Sequence, residues 1–190
     1  MIPATCLAET MTSLSIGALT GVPALTRPEL LAEPVRRTLE TWPGAGDVSV
    51  VEIDPALADT AALTEAYDLP LAASGNCVVV GGRRAGEERV AACVVRADTR
   101  ADVNDLVKRR LDVRKASFLG TEEAVARTGM EYGGITPVGL PEDWRVLVDL
   151  SLTGMPVVVV GSGLRRSKLL LSGARLADLP RVEVVEGLGI

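Results

Sequence analysis

A run of glycines and prolines at residues 128–141 constrains the fold of this chain more than any other segment. It holds four glycines and two prolines between stretches that predict regular structure. Glycine allows a positive φ and a close approach of the backbone to a ligand, whereas proline fixes φ. The run therefore predicts a rigid loop with exposed amide groups, and we interpret it as a binding loop. A tight turn without a ligand is the alternative.

Short strands and helices alternate along the rest of the chain. Strands are predicted at residues 48–53, 77–80, 90–95, 115–119, 146–149, 157–160, 169–171 and 182–185, and helices at residues 34–42, 54–67, 101–111, 121–128 and 174–179. A long polar loop is predicted at residues 81–88, inside a hairpin, and Gly129 is predicted to end a helix. Because strands outnumber helices and short turns join several of them, the sequence predicts an α+β fold around a mixed, largely antiparallel sheet.

The absence of histidine narrows the chemistry that the chain can perform. It excludes Ser-His-Asp and Cys-His catalysis as well as histidine-ligated zinc. The three cysteines, Cys6, Cys77 and Cys93, have no CxxC spacing and are predicted to be reduced thiols. The sequence thus predicts neither a metal site nor a cofactor.

Charge and hydropathy limit the kinds of partner that the protein is expected to bind. A net charge of −5 argues against nonspecific coating of nucleic acid, so DNA is not an expected partner. Aromatic residues make up 3% of the chain, which makes surfaces for base stacking scarce. The longest apolar runs are too short for a membrane span, so we expect a cytoplasmic protein that does not contact membranes. Met11 is a plausible alternative start, which would make residues 1–10 an extension.

Three motifs in order resemble the YbaK/EbsC family of aminoacyl-tRNA deacylases, which includes the editing domains of prolyl-tRNA synthetases. Residues 133–137 resemble the family's GxxxP loop, Val148-Asp149 resembles its strand ending in aspartate, and residues 161–166 resemble its small-residue turn followed by a basic pair. The resemblance spans roughly residues 59–180. It implies a barrel-like sheet with flanking helices, in a domain at residues 48–190 that follows an N-terminal extension and helix at residues 1–47.

The resemblance also implies where substrate binds. Gly133 and its neighbours would offer amides, and Pro137 would fix the loop. Asp149 would be a second polar anchor, although an aspartate that ends a strand is also an ordinary turn residue. The implied substrate-binding residues are Gly134, Thr136, Pro137, Asp149, Gly161, Ser162, Gly163, Arg165 and Arg166, of which the two arginines would meet acceptor-stem phosphates.

One position departs from the family pattern. Members with deacylase activity carry a lysine where this chain has Asn76, at the start of a strand. Asparagine donates and accepts hydrogen bonds but cannot neutralise a phosphate or an oxyanion. We hypothesise that Lys168, from an adjacent strand, supplies the missing charge, so that the catalytic set is Asn76, Gly133 and Lys168. An outward-pointing strand lysine is the alternative.

Three functions follow from this interpretation. The first is a free-standing trans-editing deacylase that hydrolyses a mischarged aminoacyl-tRNA, with the tRNA acceptor end as its partner and a synthetase as a further candidate. The second is a catalytically weak or inactive module that binds an aminoacyl-tRNA or a small aminoacyl or nucleotide ligand, which Asn76 favours. The third is a partner-binding protein, for which Met130, Trp144 and the apolar content are the basis.

Overall fold

A computed structural model describes residues 13–190 of the chain. Its strands are β1 (Ser15–Ile16), β2 (Leu19–Thr20), β3 (Val22–Pro23), β4 (Ser49–Glu52), β5 (Gly75–Arg84), β6 (Glu87–Arg96), β7 (Ala116–Phe118), β8 (Arg145–Asp149), β9 (Val158–Gly161), β10 (Ser167–Leu171) and β11 (Val182–Val185). Its α-helices are α1 (Glu33–Thr41), α2 (Thr60–Ala66), α3 (Lys108–Leu111), α4 (Thr121–Thr128), α5 (Leu150–Thr153) and α6 (Gly173–Ala177). Met11 and Cys6 lie outside the described residues.

Two sheets form the body of the molecule. One has the strand order β3-β4-β10-β9 and is antiparallel throughout, and the other has the order β11-β8-β6-β5-β7. Strand β8 runs parallel to both β6 and β11, whereas the remaining pairs of this sheet are antiparallel. The two sheets meet where Ser74, just before β5, forms a parallel bridge with Val159 of β9. The predicted α+β class, with a mixed, largely antiparallel and barrel-like sheet, is confirmed.

The main core lies between the two sheets and is built from valine, leucine and alanine. Leu169 and Leu171 of β10 pack in one cluster with Val146 and Val148 of β8, and all four are fully buried. Helix α1 buries Val35 and Leu39 in the same cluster, and β3 pairs with β4. The predicted boundary at residue 47 therefore falls between segments that share a core, and as a limit of the homologous domain it stays a prediction.

The β5–β6 hairpin corrects the prediction of a long polar loop at residues 81–88. The two strands pair up to Arg84 and Glu87, and only Ala85 and Gly86 form the turn. Both turn residues have positive φ, 52° and 89°, which matches the type I′ turn that suits the twist of a hairpin. The loop prediction was wrong because the end of the hairpin is polar and exposed, so no apolar residues mark its strand pairing.

Two predicted helices are interrupted. The segment after Asp54 begins with a single 3₁₀ turn at Pro55–Leu57, capped by Asp54, and α2 starts only at Thr60. The helix predicted at residues 101–111 begins with a wider π-helical turn at Val103–Val107 before α3. Gly129 ends α4 with φ +65°, as predicted.

Cys77 and Cys93 are free thiols, and Cys93 is fully buried, in agreement with the sequence prediction for these two residues. Over residues 13–190, every helix is too short or too polar to cross a membrane. The cytoplasmic location stays a prediction.

Candidate functional site

A cavity of about 290 Å³ opens between β5 and β9, next to the bridge that joins the two sheets. Its lining comes from four parts of the chain: α2 with the two residues before it, the start of β5, the glycine-proline loop and the paired strands β9 and β10. The lining residues are Ala58, Asp59, Thr60, Leu63, Ser74, Gly75, Asn76, Cys77, Val78, Tyr132, Gly133, Ile135, Val159, Val160, Gly161 and Lys168. The predicted catalytic set of Asn76, Gly133 and Lys168 is thus brought together in one place.

Lys168 on β10 points into this cavity rather than outward. Its side chain is buried, and Nζ donates to the carbonyl oxygen of Ala58 at 2.9 Å and to that of Gly133 at 3.3 Å. Burial lowers the pKa of Lys168 to about 8; the charge of Arg165 adds to this, and the carboxylate of Asp59 opposes it. An ammonium group has three donors. Two are used here, so one remains for a ligand.

Asn76 on β5 lies in the same cavity and is tied to the first residue of α2. Its Oδ1 accepts a hydrogen bond of 2.7 Å from the hydroxyl of Thr60. Lys168 holds Ala58 two residues earlier, so the two side chains fix residues 58–60 from two sides. The Asn76 amide nitrogen has no hydrogen-bond partner among the described residues and is free to donate to a ligand.

Asp59 supplies the one carboxylate among the described lining residues. It occupies the N-cap position of α2, but its side chain makes no capping hydrogen bond. Instead one carboxylate oxygen lies 3.8 Å from the guanidinium of Arg165. A capping bond would stabilise the helix by about 1 kcal/mol, and Asp59 does not make it. Its carboxylate is instead exposed at the cavity mouth, where it can bind a ligand.

The two glycine motifs singled out in the sequence pack directly against each other. Gly163 donates to the carbonyl oxygen of Gly134 at 2.8 Å. A Cβ added at Gly161 would lie 2.2 Å from the same oxygen, and one at Gly134 would lie 2.8 Å from the backbone of Gly163. This contact of backbone with backbone places the loop carbonyl of Gly133 within reach of Lys168.

Thr136 and Pro137 belong to the glycine-proline loop but do not line the cavity. Thr136 is fully buried, and its hydroxyl has no hydrogen-bond partner among residues 13–190. Pro137 faces a second cavity of about 640 Å³ on the far side of the loop. Both residues are therefore placed to shape the loop, and neither lines the cavity that holds Lys168.

Ser162 is fully buried and does not line the cavity. The hydroxyl of Ser167 donates to the carbonyl oxygen of Leu30 at 2.6 Å, so that of Ser162 donates to Ser167 Oγ at 2.7 Å. Ser162 Oγ also accepts from the amide of Leu164 at 3.3 Å. These bonds satisfy Ser162 internally, and a direct contact with substrate is not available to it in this structure.

The two arginines of the basic pair differ in their surroundings. Arg165 is partly buried beside the cavity, where its guanidinium donates to the carbonyl oxygens of Tyr132 and Pro55 at 3.2 and 3.3 Å. Arg166 is exposed and donates to the carbonyl oxygen of Glu29 at 2.5 Å. Of these two arginines, Arg165 is the one whose charge acts on Lys168 in the cavity.

Asp149 lies at the end of β8, away from the cavity. One carboxylate oxygen accepts from the amide of Ser151 at 2.9 Å and caps α5, and the other accepts from the amide of Gly189 at 2.7 Å. Burial raises the pKa of Asp149, but a hydrogen bond from the Ser151 hydroxyl, together with the two amide bonds, outweighs it and the net pKa is lowered. These bonds suffice for a residue that ends a strand and caps the next helix, and the role of Asp149 as a substrate anchor stays a prediction.

Sequence analysis missed Asp59, Thr60 and Tyr132 as lining residues. The pair Asp59-Thr60 carries an N-cap pattern, which could have marked the true start of α2. Tyr132 is an aromatic residue inside a glycine-rich loop of a chain with few aromatic residues, and that contrast was the available signal.

The cavity offers a cation, a carboxylate and hydrogen-bond donors but no thiolate. Burial raises the pKa of the Cys77 thiol far above neutral pH, so its thiolate is not populated. Hydrolysis of a bound ester would have to proceed by positioning a water molecule and stabilising the negative charge that develops.

Comparison with protein families agrees with this chemistry. The model of a family described as the aminoacyl-tRNA editing domain matches residues 54–179. The matched segment contains every lining residue of the cavity, from Ala58 to Lys168. The resemblance noted in the sequence is confirmed.

Relatives and solved structures extend the match over most of the chain. The uncharacterized protein YwhH of Bacillus subtilis (strain 168) is 29% identical over 144 residues, which cover 76% of this chain and 87% of that protein. The crystal structure of a proposed trans-editing enzyme for prolyl-tRNA synthetase has a TM-score of 0.69 at 24% identity, covering 82% of this chain and 94% of that chain. The crystal structure of hypothetical protein APE2540 has a TM-score of 0.65 at 21% identity, and the match covers 74% of this chain and 90% of that chain. At these identities the two structures show a shared fold.

Proposed function

Because the chain belongs to the aminoacyl-tRNA editing domain family, we propose that it is a deacylase that hydrolyses the ester of a mischarged tRNA in trans. The observation that carries the proposal is the buried ammonium group of Lys168, which lies in the cavity with one donor left for a ligand. The acceptor end of the tRNA is the partner, and a synthetase that delivers it is a further candidate.

Lys168 stabilises the charge that forms during hydrolysis. A water molecule adds to the ester carbonyl carbon, and the carbonyl oxygen becomes negative. The bond from carbon to the ribose oxygen then breaks, the ribose oxygen takes up the proton that the attacking water gives up, and the free amino acid leaves. The remaining N–H of Lys168, with the Asn76 amide beside it, is the donor for the negative oxygen.

Asp59 binds the other charged part of the substrate. An aminoacyl ester carries an α-ammonium group, and Asp59 is the one carboxylate among the described lining residues. An opposite charge at the cavity mouth orients the ester so that its carbonyl lies toward Lys168. The neighbouring hydroxyl of the terminal ribose assists proton transfer, as the family resemblance implies, because Asp59 is engaged with the α-ammonium group in this arrangement.

The size and lining of the cavity favour a small aminoacyl group. Its buried part includes the aliphatic side chains of Leu63, Val159 and Val160 beside the polar Ser74 and Lys168, and the whole volume is about 290 Å³. Small apolar side chains are also those that a synthetase discriminates poorly, because one methylene is worth only about 1–3 kcal/mol. Editing of such a group is therefore the function that this cavity suits.

A binding module without turnover is the second candidate, and the neutral Asn76 favours it. The two are separated by incubating the protein at substoichiometric concentration with alanyl-, seryl- and cysteinyl-tRNA that carry the proline acceptor. The proposal predicts release of several amino acids per protein molecule from at least one of them. Binding without turnover by the wild type, with turnover gained in Asn76→Lys, would support the binding module instead.

Deacylation is expected to decline above about pH 8. The ammonium form of Lys168 carries the charge, and its pKa of about 8 means that the form is lost as the pH rises through that value. We expect kcat/KM, after subtraction of spontaneous ester hydrolysis, to fall with the loss of one proton between about pH 7 and 9. An enzymatic rate that keeps rising through this range would contradict the assignment of Lys168.

A further inference from the structure

Tyr132 presents an aromatic ring at the cavity mouth that the packing of the protein does not explain. Its side chain is 60% exposed, although Gly134 and Thr136 of the same loop are buried. The Tyr132 hydroxyl has no hydrogen-bond partner within residues 13–190. Tyr132 is nevertheless one of the residues that line the cavity.

Arg165 holds this ring in place. The Arg165 guanidinium carbon lies 5.8 Å from the centre of the Tyr132 ring, in a cation–π contact. The guanidinium is itself fixed by the carbonyl oxygens of Tyr132 and Pro55, and Asp59 lies 3.8 Å away. One side of the ring is thus supported by a fixed cation, while the exposed side is open to a ligand.

The ring lies where the nucleoside of a bound ester would lie. The buried end of the cavity combines aliphatic side chains with Lys168 and suits the aminoacyl ester, whereas Tyr132 and Asp59 are exposed at its mouth. A volume of about 290 Å³ is near the lower limit of pockets that enclose a drug-sized molecule, so with the aminoacyl ester inside there is no room for the base as well. The base of the terminal nucleoside is therefore at the level of the Tyr132 ring.

We infer that Tyr132 binds substrate by stacking on the terminal adenine of the tRNA while the aminoacyl ester occupies the cavity. This rests on the proposed function, which supplies the aminoacyl nucleoside. Base stacking on an aromatic side chain is favourable for any base and requires only one correctly held ring. The low aromatic content of the chain therefore does not prevent base recognition.

The inference is tested by equilibrium binding, which does not depend on turnover. Two stable amides are compared by isothermal titration calorimetry: alanine linked to 3′-amino-3′-deoxyadenosine, and the same compound with hydrogen in place of the base. We expect the wild type to bind the adenosine compound at least about tenfold more tightly than the baseless one, as is typical of stacking. Tyr132→Ala is expected to abolish this preference, and Tyr132→Phe to retain it.

Phe118→Ala is the matched control, because Phe118 is 61% exposed on the edge strand β7 and does not line the cavity. It is expected to keep the wild-type preference. Equal binding of the two compounds by the wild type, or a preference that survives in Tyr132→Ala, would overturn the inference and leave the proposed function standing. Failure of the wild type to bind either compound would overturn both.

Discussion

Replacement of Lys168 by methionine is expected to lower kcat/KM for deacylation by about 10²–10³-fold, the usual cost of removing one donor to a developing oxyanion. Methionine fills a similar volume but carries no charge and no donor. It leaves the carbonyl oxygens of Ala58 and Gly133 without their partner, so the position of the loop also becomes less well defined. The loss of a buried charge offsets part of the stability cost, since burial of an ammonium group is itself unfavourable.

Lys115→Met is the control for this prediction, because Lys115 is exposed and lies outside the cavity. It removes the same charge from the protein as a whole. We expect it to leave kcat/KM unchanged. A wild-type rate in Lys168→Met, measured on protein with an unchanged circular dichroism spectrum, would mean that another group supplies the charge.

Replacement of Gly161 by alanine is expected to destabilise the protein by about 1–3 kcal/mol, as overpacking of a close contact does. The added methyl group would lie 2.2 Å from the carbonyl oxygen of Gly134 and 2.7 Å from that of Ile135. Both are backbone atoms, so the loop has to move as a unit. For a chain of this size the corresponding fall in Tm is roughly 2–12 °C.

The same movement is expected to impair deacylation. Gly161 pairs with Lys168 across the two strands, and the displaced loop carries the carbonyl oxygen that Lys168 binds. A displacement on the order of 1 Å in a positioned site can cost about 10²-fold in rate. Gly154→Ala is the control, because no atom lies within 4 Å of its added Cβ. A Tm that falls equally in both variants would show that the contact with the loop is not the cause.

Much of the fold could be predicted from local patterns. The strand at Val182–Val185 was predicted with its observed bounds, and Gly129 was identified as the end of a helix. The pattern failed where residues are polar but still paired, as at Arg83 and Glu88 in the hairpin, because exposure hides the alternation that marks a strand. Local capping rules also account for the position of Asp149, which is the N-cap of α5 and accepts a hydrogen bond from the amide of Ser151.

The candidate site was predictable only in part because its contacts are distant in sequence. The bond from Lys168 to Ala58 joins residues 110 positions apart, and nothing near Lys168 indicates that its side chain turns inward. Family resemblance identified Gly133 and the departure at Asn76, which led to the hypothesis for Lys168, and all three residues line the cavity. It also suggested Ser162 and Thr136, whose small polar side chains are buried for packing. Local signals mark Asp59 as an N-cap and Tyr132 as an unusual aromatic residue, but their place at the cavity depends on the tertiary arrangement around Arg165.

The central claim is that the cation of this site lies at Lys168 instead of at position 76. Deacylation by the double variant Asn76→Lys/Lys168→Met, relative to Lys168→Met alone, is the most direct measurement of it. Asn76 and Lys168 line one cavity, so a lysine at position 76 can supply the charge from the opposite strand. We predict that the double variant is at least about tenfold faster than Lys168→Met. This gain lies within the roughly 10²–10³-fold that such a donor contributes. A folded double variant no faster than Lys168→Met would contradict the claim.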